Sequence, residues 1–145
     1  MEIDIDIMTS KDISSIEQNF SEKFDKFWSA NLLKNDFEDK ISKYIVAKID
    51  NEIVGFAGLK VILDEADIMN IVVRIDKRRL GIASMLLEKL LEIAKLSNCT
   101  SITLEVNENN TSAISLYEKY HFKRIGLRKK YYNNTDNAIL MKKEI

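Results

Sequence analysis

The spacing of apolar residues divides the chain into short strands and helices. At the start, isoleucines alternate with Glu2, Asp4 and Asp6, which predicts a strand over 2–8 with one buried face. Asp50-Asn51 separates two β-rich apolar runs and is typical of a hairpin turn. The remaining patterns predict helices over 10–20 and 111–120, a helical or irregular segment over 22–40, and strands over 43–49, 52–62, 67–74, 101–106, 122–132 and 137–143.

The clearest helix covers residues 80–96. Its apolar positions Ile82, Leu86, Leu90 and Ile93 recur at helical spacing, and the opposite face is polar. The order of predicted elements is β-α-α-β-β-β-α-β-α-β-β, without a repeat or a linker. This order predicts one mixed α/β (α+β) domain over residues 1–145.

Glycine and proline are scarce. The 145 residues include no proline and four glycines, Gly55, Gly58, Gly81 and Gly126, whereas average usage predicts roughly seven and ten. The glycine spacing excludes Rossmann and Walker phosphate loops, which need several closely placed glycines. The single cysteine excludes an intrachain disulfide, and with a single histidine we expect no zinc or other metal site.

Charge is balanced overall but unevenly distributed. Residues 1–70 carry 15 acidic and 8 basic side chains, whereas residues 71–145 carry 8 and 14, and the net charge is −1. We therefore expect no general attraction to nucleic acid or membranes, and a preference of the acidic half for a basic partner. The acidic, alternating start does not resemble a signal peptide, so we expect a cytoplasmic protein. We also expect a monomer or a weak dimer.

A basic loop precedes the clearest helix. Lys77, Arg78 and Arg79 lie just before it, and the loop offers no good capping side chain. Free backbone N–H groups at a helix start, beside these cations, favour a phosphate or pyrophosphate. Gly81 and the small Ala83 allow an anion to approach the backbone. A helix that simply begins with exposed arginines fits this spacing equally well.

Several motifs in this sequence resemble one enzyme family. Arg78-x-x-Gly81-x-Ala83 matches the (Q/R)-x-x-G-x-(G/A) signature of the GNAT superfamily of N-acetyltransferases, which bind acetyl-CoA. Residues 65–73 resemble the strand that this family places beside the pantetheine arm. Residues 104–122 and 128–141 are similar to the RimI-like branch, which acetylates the N-terminal alanine of ribosomal protein S18. Phe27-Trp28-Ser29 is similar to the Pro-Trp-Ser of that branch.

The resemblance implies the GNAT fold, a mostly antiparallel sheet of about 6–7 strands with about four helices, in which parallel strands 67–74 and 101–106 splay apart. It assigns Glu105 as general base and Tyr117 as general acid. It places acetyl-CoA, the co-substrate, on Ile71, Val72, Val73, Arg78, Arg79, Leu80, Gly81, Ile82, Ala83, Ser84, Asn110 and Tyr117. It makes Trp28, Tyr131 and Tyr132 candidates for binding the acceptor.

The residue types leave alternatives open. Glu105 could be a solvated strand residue, Tyr117 a core residue and Asn110 a plain helix cap. The resemblance implies a protein N-terminus as acceptor, basic and like that of ribosomal protein S18. Presenting a neutral α-amine at pH 7 costs about 1.4 kcal/mol, against about 4.6 kcal/mol for lysine. A lysine or small-amine acetyltransferase and a CoA-binding regulatory module without catalysis remain the alternatives.

Four positions depart from the family pattern. The last signature glycine is Ala83, which the pattern permits, and Phe27 stands where the branch has proline. The usual Gly-Phe after the tyrosine helix is His121-Phe122, and Arg74-Ile75-Asp76 stands where relatives carry Asp-Pro. We therefore expect altered loop geometry and acceptor fit rather than a loss of cofactor binding.

Overall fold

A computed structural model of the chain describes residues 2–23, 30–132 and 135–145. Seven strands and four helices lie within these residues, and a short 3₁₀ helix, Ile75–Lys77, precedes the third helix. The elements are β1 (Asp4–Ile7), α1 (Ser10–Lys23), α2 (Ala30–Glu38), β2 (Ser42–Ile49), β3 (Glu52–Ile62), β4 (Glu65–Val73), α3 (Ile82–Leu96), β5 (Ser101–Asn107), α4 (Thr111–Lys119), β6 (Lys123–Tyr132) and β7 (Asp136–Glu144).

All seven strands form one sheet in the order β1-β2-β3-β4-β5-β7-β6. Its neighbours are antiparallel except β4 and β5, which run parallel. The parallel pairing begins at Glu65 opposite Ser101 and, within the described chain, ends at Asp67 opposite Thr103. Thr103 donates a hydrogen bond to the Asp67 carboxylate at this point. Beyond it the strands separate, which confirms the predicted splayed pair.

The sheet carries a hydrophobic core on each face. Neighbouring residues of β2 belong to different core clusters, as expected for side chains that alternate across a strand. Leu86, Leu87 and Leu90 of α3 are fully buried on one face, and Ile16 of α1 packs on the other. A Cβ at Gly55 would lie 3.2 Å from the Ile82 side chain, so glycine here allows α3 to pack close to β3.

The strand at the sheet edge is shorter than predicted. In β1, Ile5 packs against the core but Ile7 is 79% exposed, so the predicted buried isoleucine face does not extend to Ile7. The reason is that β1 is an edge strand, paired on one side only, and the core covers part of its length.

The longest helix among the described residues, α3, has 15 residues. Every helix among these residues is too short or too polar to cross a bilayer.

Candidate active site

The separation of β4 and β5 opens a cleft of about 490 Å³, here called the β4–β5 cleft. It lies where the resemblance places the reaction, and it brings together Glu105 from β5 and Tyr117 from α4. The cleft is lined by Ile68, Met69, Asn70, Ile71, Val72, Leu104, Glu105, Val106, Asn107, Asn109, Asn110, Ala113 and Tyr117.

Tyr117 lies on the buried face of α4. Its side chain is 8% exposed, and its ring meets Phe122 edge-on with the centroids 5.7 Å apart. Asn110 caps the same helix, because its Oδ1 accepts a hydrogen bond from the Ala113 N–H at 3.2 Å. Asn110 is therefore a helix cap, and it also lines the cleft. The cap fixes the start of the helix that carries Tyr117.

Glu105 is held at the mouth of the cleft by an arginine. It lies between the buried Leu104 and Val106, and its own side chain is 26% exposed. Arg128 Nη2 is 2.9 Å from Glu105 Oε1, and the Arg128 guanidinium lies 4.7 Å from the centroid of the Tyr131 ring. Glu105 is thus a paired, half-buried carboxylate rather than a freely solvated one.

The start of α3 has the geometry of an anion site. Gly81 is the N-cap with φ +80°, and no side chain caps the helix. A Cβ at Gly81 would meet nothing within 4 Å, so open space faces the backbone here. Arg78 and Arg79 are exposed beside it. Since Ile82 is buried in the core, only its backbone can face a ligand.

Arg74 is buried and paired with carboxylates, unlike the exposed Arg78 and Arg79. It is 6% exposed, and its guanidinium donates to Asp76 from Nε at 2.6 Å and from Nη2 at 3.0 Å. Its Nη1 lies 2.6 Å from Glu52 Oε1. These hydrogen bonds hold the pKa of Asp76 below its ordinary value and raise the pKa of Arg74. The bidentate contact fixes the turn between β4 and α3.

A buried polar network supports the β4 wall of the cleft. The Asn70 amide donates to the Tyr44 hydroxyl at 3.1 Å, and Tyr44 donates to the Asp36 carboxylate. Lys60 Nζ lies 2.8 Å from the same carboxylate. Burial raises the pKa of Tyr44, and the neighbouring Asp36 adds to the shift. The network therefore ties α2 to the strand that lines the cleft.

The profile of the acetyltransferase (GNAT) family matches residues 11–122. The chain belongs to the GNAT acetyltransferase family. It is similar to the [ribosomal protein bS18]-alanine N-acetyltransferase of Haemophilus influenzae, with 36% identity over 120 residues that cover 79% of this chain and 80% of that one. The chain is accordingly an N-acetyltransferase of the RimI-like kind.

Solved structures of acetyltransferases share the fold. The crystal structure of the ribosomal-protein-S18-alanine N-acetyltransferase from Escherichia coli superposes with a TM-score of 0.90 and 26% identity, covering 99% of this chain and 94% of that one. A GNAT acetyltransferase from Elizabethkingia anophelis, solved with acetyl-CoA bound, matches with a TM-score of 0.80, 23% identity and coverage of 99% and 98%. These matches confirm the predicted fold class.

The other predicted site residues of this acetyltransferase are distributed as follows. Ile71 and Val72 line the cleft, and Val73 lies at the end of β4. Tyr131 is 49% exposed beside Arg128. Tyr132 is paired with Asp136 where β6 meets β7, and Trp28 lies outside the described residues. Leu80 is exposed, and Ala83 and Ser84 are half-buried on the first turn of α3.

Local sequence patterns do not predict the contacts of four residues, Arg74, Arg128, Asn70 and Tyr44. Arg128 lies within the motif over 128–141, which does not pair it with Glu105. Asn70 and Tyr44 have the pattern of ordinary strand residues. For Arg74 a signal exists in the sequence, since Arg74-x-Asp76 places opposite charges two residues apart in a turn. For Arg128 and Asn70 the partners come from other strands, so local sequence gives no signal.

Proposed function

We propose that this acetyltransferase transfers the acetyl group of acetyl-CoA to the N-terminal α-amine of a protein, by direct attack. The observation that carries the proposal is the convergence of Glu105 and Tyr117 on one cleft between diverging strands. The relatives named for alanine N-acetylation of a ribosomal protein support an N-terminus as acceptor. A basic N-terminus like that of ribosomal protein S18 is the proposed substrate.

The residues at the start of α3 fit the phosphates of CoA. The uncapped first turn supplies backbone N–H groups and the positive end of the helix dipole. Open space at Gly81 lets a pyrophosphate approach the backbone, and Arg78 and Arg79 supply positive charge nearby. Asn110, Ile71 and Val72 line the same cleft as Tyr117. In this proposal acetyl-CoA supplies the thioester.

The chemistry needs a neutral amine, a stabilised oxyanion and a proton for the leaving thiolate. Glu105 takes the amine proton, directly or through one water, as the nitrogen forms its bond to the carbonyl carbon. Backbone N–H groups of β4 that face the cleft stabilise the negative oxygen. As the carbon–sulfur bond breaks, Tyr117 gives its phenolic proton to the thiolate sulfur. No metal enters this scheme.

The acid–base properties of the acceptor support an α-amine. An α-amine has a pKa of about 8, so presenting it in the neutral form at pH 7 costs about 1.4 kcal/mol, against about 4.6 kcal/mol for lysine. The acidic first half of the chain favours a basic peptide by long-range attraction. An acceptor that is basic and ends in a free α-amine satisfies both conditions.

The test is CoA release from acetyl-CoA with a panel of acceptors. The panel contains basic and acidic peptides with free N-termini, the same peptides with blocked N-termini and one internal lysine, and a polyamine. We expect turnover on free N-termini, faster on the basic peptide. Turnover confined to lysine or polyamine would show that the α-amine assignment is wrong. Acetyl-CoA binding without turnover on any amine would instead support a regulatory module.

A further inference from the structure

Arg128 reaches Glu105 across the neighbouring strand. Arg128 of β6 is paired with Ala138 of β7, and Glu105 of β5 is paired with Leu140 of the same strand. Directly paired residues share a face of the sheet, and so do positions two apart along a strand, so these four side chains lie on one face. The small, buried Ala138 leaves room for the Arg128 side chain to lie across β7.

Two contacts fix the Arg128 guanidinium beside the proposed base. Its Nη2 is 2.9 Å from Glu105 Oε1, and the face of the Tyr131 ring lies 4.7 Å from its central carbon. Arginine carries five N–H donors on a planar fork, and the ion pair engages Nη2. The side chain is half-exposed, so its other donors can reach a molecule at the mouth of the cleft.

An N-terminal residue offers a group that other amines lack. Its carbonyl oxygen lies roughly 3 Å from the α-amine nitrogen, because only Cα and the carbonyl carbon separate them. A lysine ε-amine or a polyamine has no carbonyl at this distance. When an α-amine lies beside Glu105, its carbonyl therefore falls within reach of the guanidinium that contacts the same carboxylate.

We infer that Arg128 binds the carbonyl oxygen of the first acceptor residue and so selects α-amines over other amines. The Glu105 carboxylate, the Arg128 guanidinium and the Tyr131 ring form one cluster that receives both the amine and its carbonyl. The hydrogen bond is charge-assisted, which makes it stronger than one between neutral groups. This inference rests on the proposed function, because it concerns how that same site recognises its acceptor.

The test is a cycle of two enzymes and two acceptors. The acceptors are a peptide with a free N-terminal alanine and its E-alkene isostere, in which a carbon–carbon double bond replaces the first peptide bond. We expect kcat/KM of the wild type to fall about tenfold on the isostere. Arg128→Gln should lose about tenfold on the peptide, and its fall from the peptide to the isostere should be about tenfold smaller than that of the wild type. Loss of the peptide N–H lowers kcat/KM of both enzymes by the same factor, so it cancels when the two falls are compared.

Two further variants control the cycle. Arg124→Gln removes a charge from the same strand, where Arg124 lies 3.7 Å from Glu118, and it should leave the wild-type ratio unchanged. Arg128→Lys keeps the charge but loses the planar fork, and it provides the cycle if Arg128→Gln does not fold. Equal activity of the wild type on both acceptors, or equal losses of Arg128→Gln on both, would overturn the inference. A wild type that acetylates neither acceptor would instead contradict the proposed function.

Discussion

The turn after β4 and the strand β6 use arginine in opposite ways. In the turn from β4 to α3, Arg74 is buried and its guanidinium is engaged by Asp76 and Glu52. On β6, Arg128 is half-exposed, and its Nη2 contacts the carboxylate of Glu105, which lines the β4–β5 cleft. The first arrangement fixes a backbone turn, whereas the second leaves hydrogen-bonding capacity for a ligand.

In the proposed function, this difference separates a preformed site for the cofactor from an adaptable site for the acceptor. The start of α3 is rigidly placed, because its turn is clamped and its first residues pack in the core. The Glu105–Arg128–Tyr131 cluster consists of side chains that remain partly open to solvent. We therefore expect substitutions in the turn to weaken the binding of acetyl-CoA. Substitutions in the cluster should weaken the binding of the acceptor and slow the chemical step.

The largest effect is expected at the catalytic pair. Glu105→Gln removes the proton acceptor and should lower kcat by about 10²–10⁴-fold with little change in the KM of acetyl-CoA. Tyr117→Phe keeps the ring against Phe122 and should lower kcat without loss of the fold. Steady-state kinetics of CoA release measure both effects, and Glu92→Gln on the exposed face of α3 is the control. Rates within a few-fold of the wild type would remove both residues from the mechanism.

A smaller effect is expected at the helix start. Gly81→Ala puts a Cβ on a residue with φ +80° and into the space proposed for the pyrophosphate. The left-handed backbone costs roughly 1–2 kcal/mol for a residue other than glycine. We expect the KM of acetyl-CoA to rise about tenfold while the KM of the acceptor is unchanged. Gly126→Ala on β6 is the matched control, and an equal rise in that variant would contradict the assignment.

The smallest effect is expected at the clamp of the turn. Arg74→Met removes the hydrogen bonds from the guanidinium to Asp76 and Glu52, and should raise the KM of acetyl-CoA about two- to fourfold. Lys95→Met, in the last turn of α3, removes a charge elsewhere and serves as control. An effect larger than that of Gly81→Ala would show that the turn depends on charge more than on backbone conformation.

The clamp also predicts a pH dependence. The pKa of Asp76 is below its ordinary value of 3.8 in the folded chain, so its contact stabilises the fold above that pH and is lost as pH falls through the lowered pKa. The difference in urea midpoint between wild type and Arg74→Met should hold from pH 7 to about 4 and shrink in stronger acid. A difference that grows in acid would contradict the clamp.

The helix α3 and its uncapped start could be predicted from the sequence because their residues are contiguous. The spacing of Ile82, Leu86 and Leu90 predicts α3, and the uncapped start with Gly81 predicts the anion site beside it. Local patterns also predict the positions of the strands, whereas the parallel pairing of β4 and β5 is implied by the family resemblance. They do not give exact ends: α3 begins at Ile82 rather than 80, because Gly81 adopts a left-handed conformation.

The acceptor side could not be predicted in the same way. The contact between Glu105 and Arg128 depends on the order of β5, β7 and β6 in the sheet, which no local pattern encodes. The network of Asn70, Tyr44 and Asp36 likewise joins three elements. Contacts of this kind depend on tertiary packing, so the polar residues that form them look like ordinary strand and helix residues in sequence.

The histidine after α4 shows a local departure with a structural reason. His121 has φ +72°, the left-handed conformation that commonly ends a helix and for which glycine is the usual residue. The N–H of Phe122 donates to the Tyr117 carbonyl at 3.1 Å, which closes the helix. The same backbone geometry is therefore formed with histidine, at a cost in strain that glycine avoids.

One measurement tests the central claim most directly. A basic peptide that carries both a free N-terminal α-amine and an internal lysine is incubated with acetyl-CoA and the enzyme, and fragment mass spectrometry locates the acetyl group. Because both amines are on one molecule, differences in peptide binding cannot produce the result. We predict that the acetyl group is on the α-amine, and that Glu105→Gln leaves the peptide unmodified. Acetylation of the lysine with a free α-amine would contradict the account.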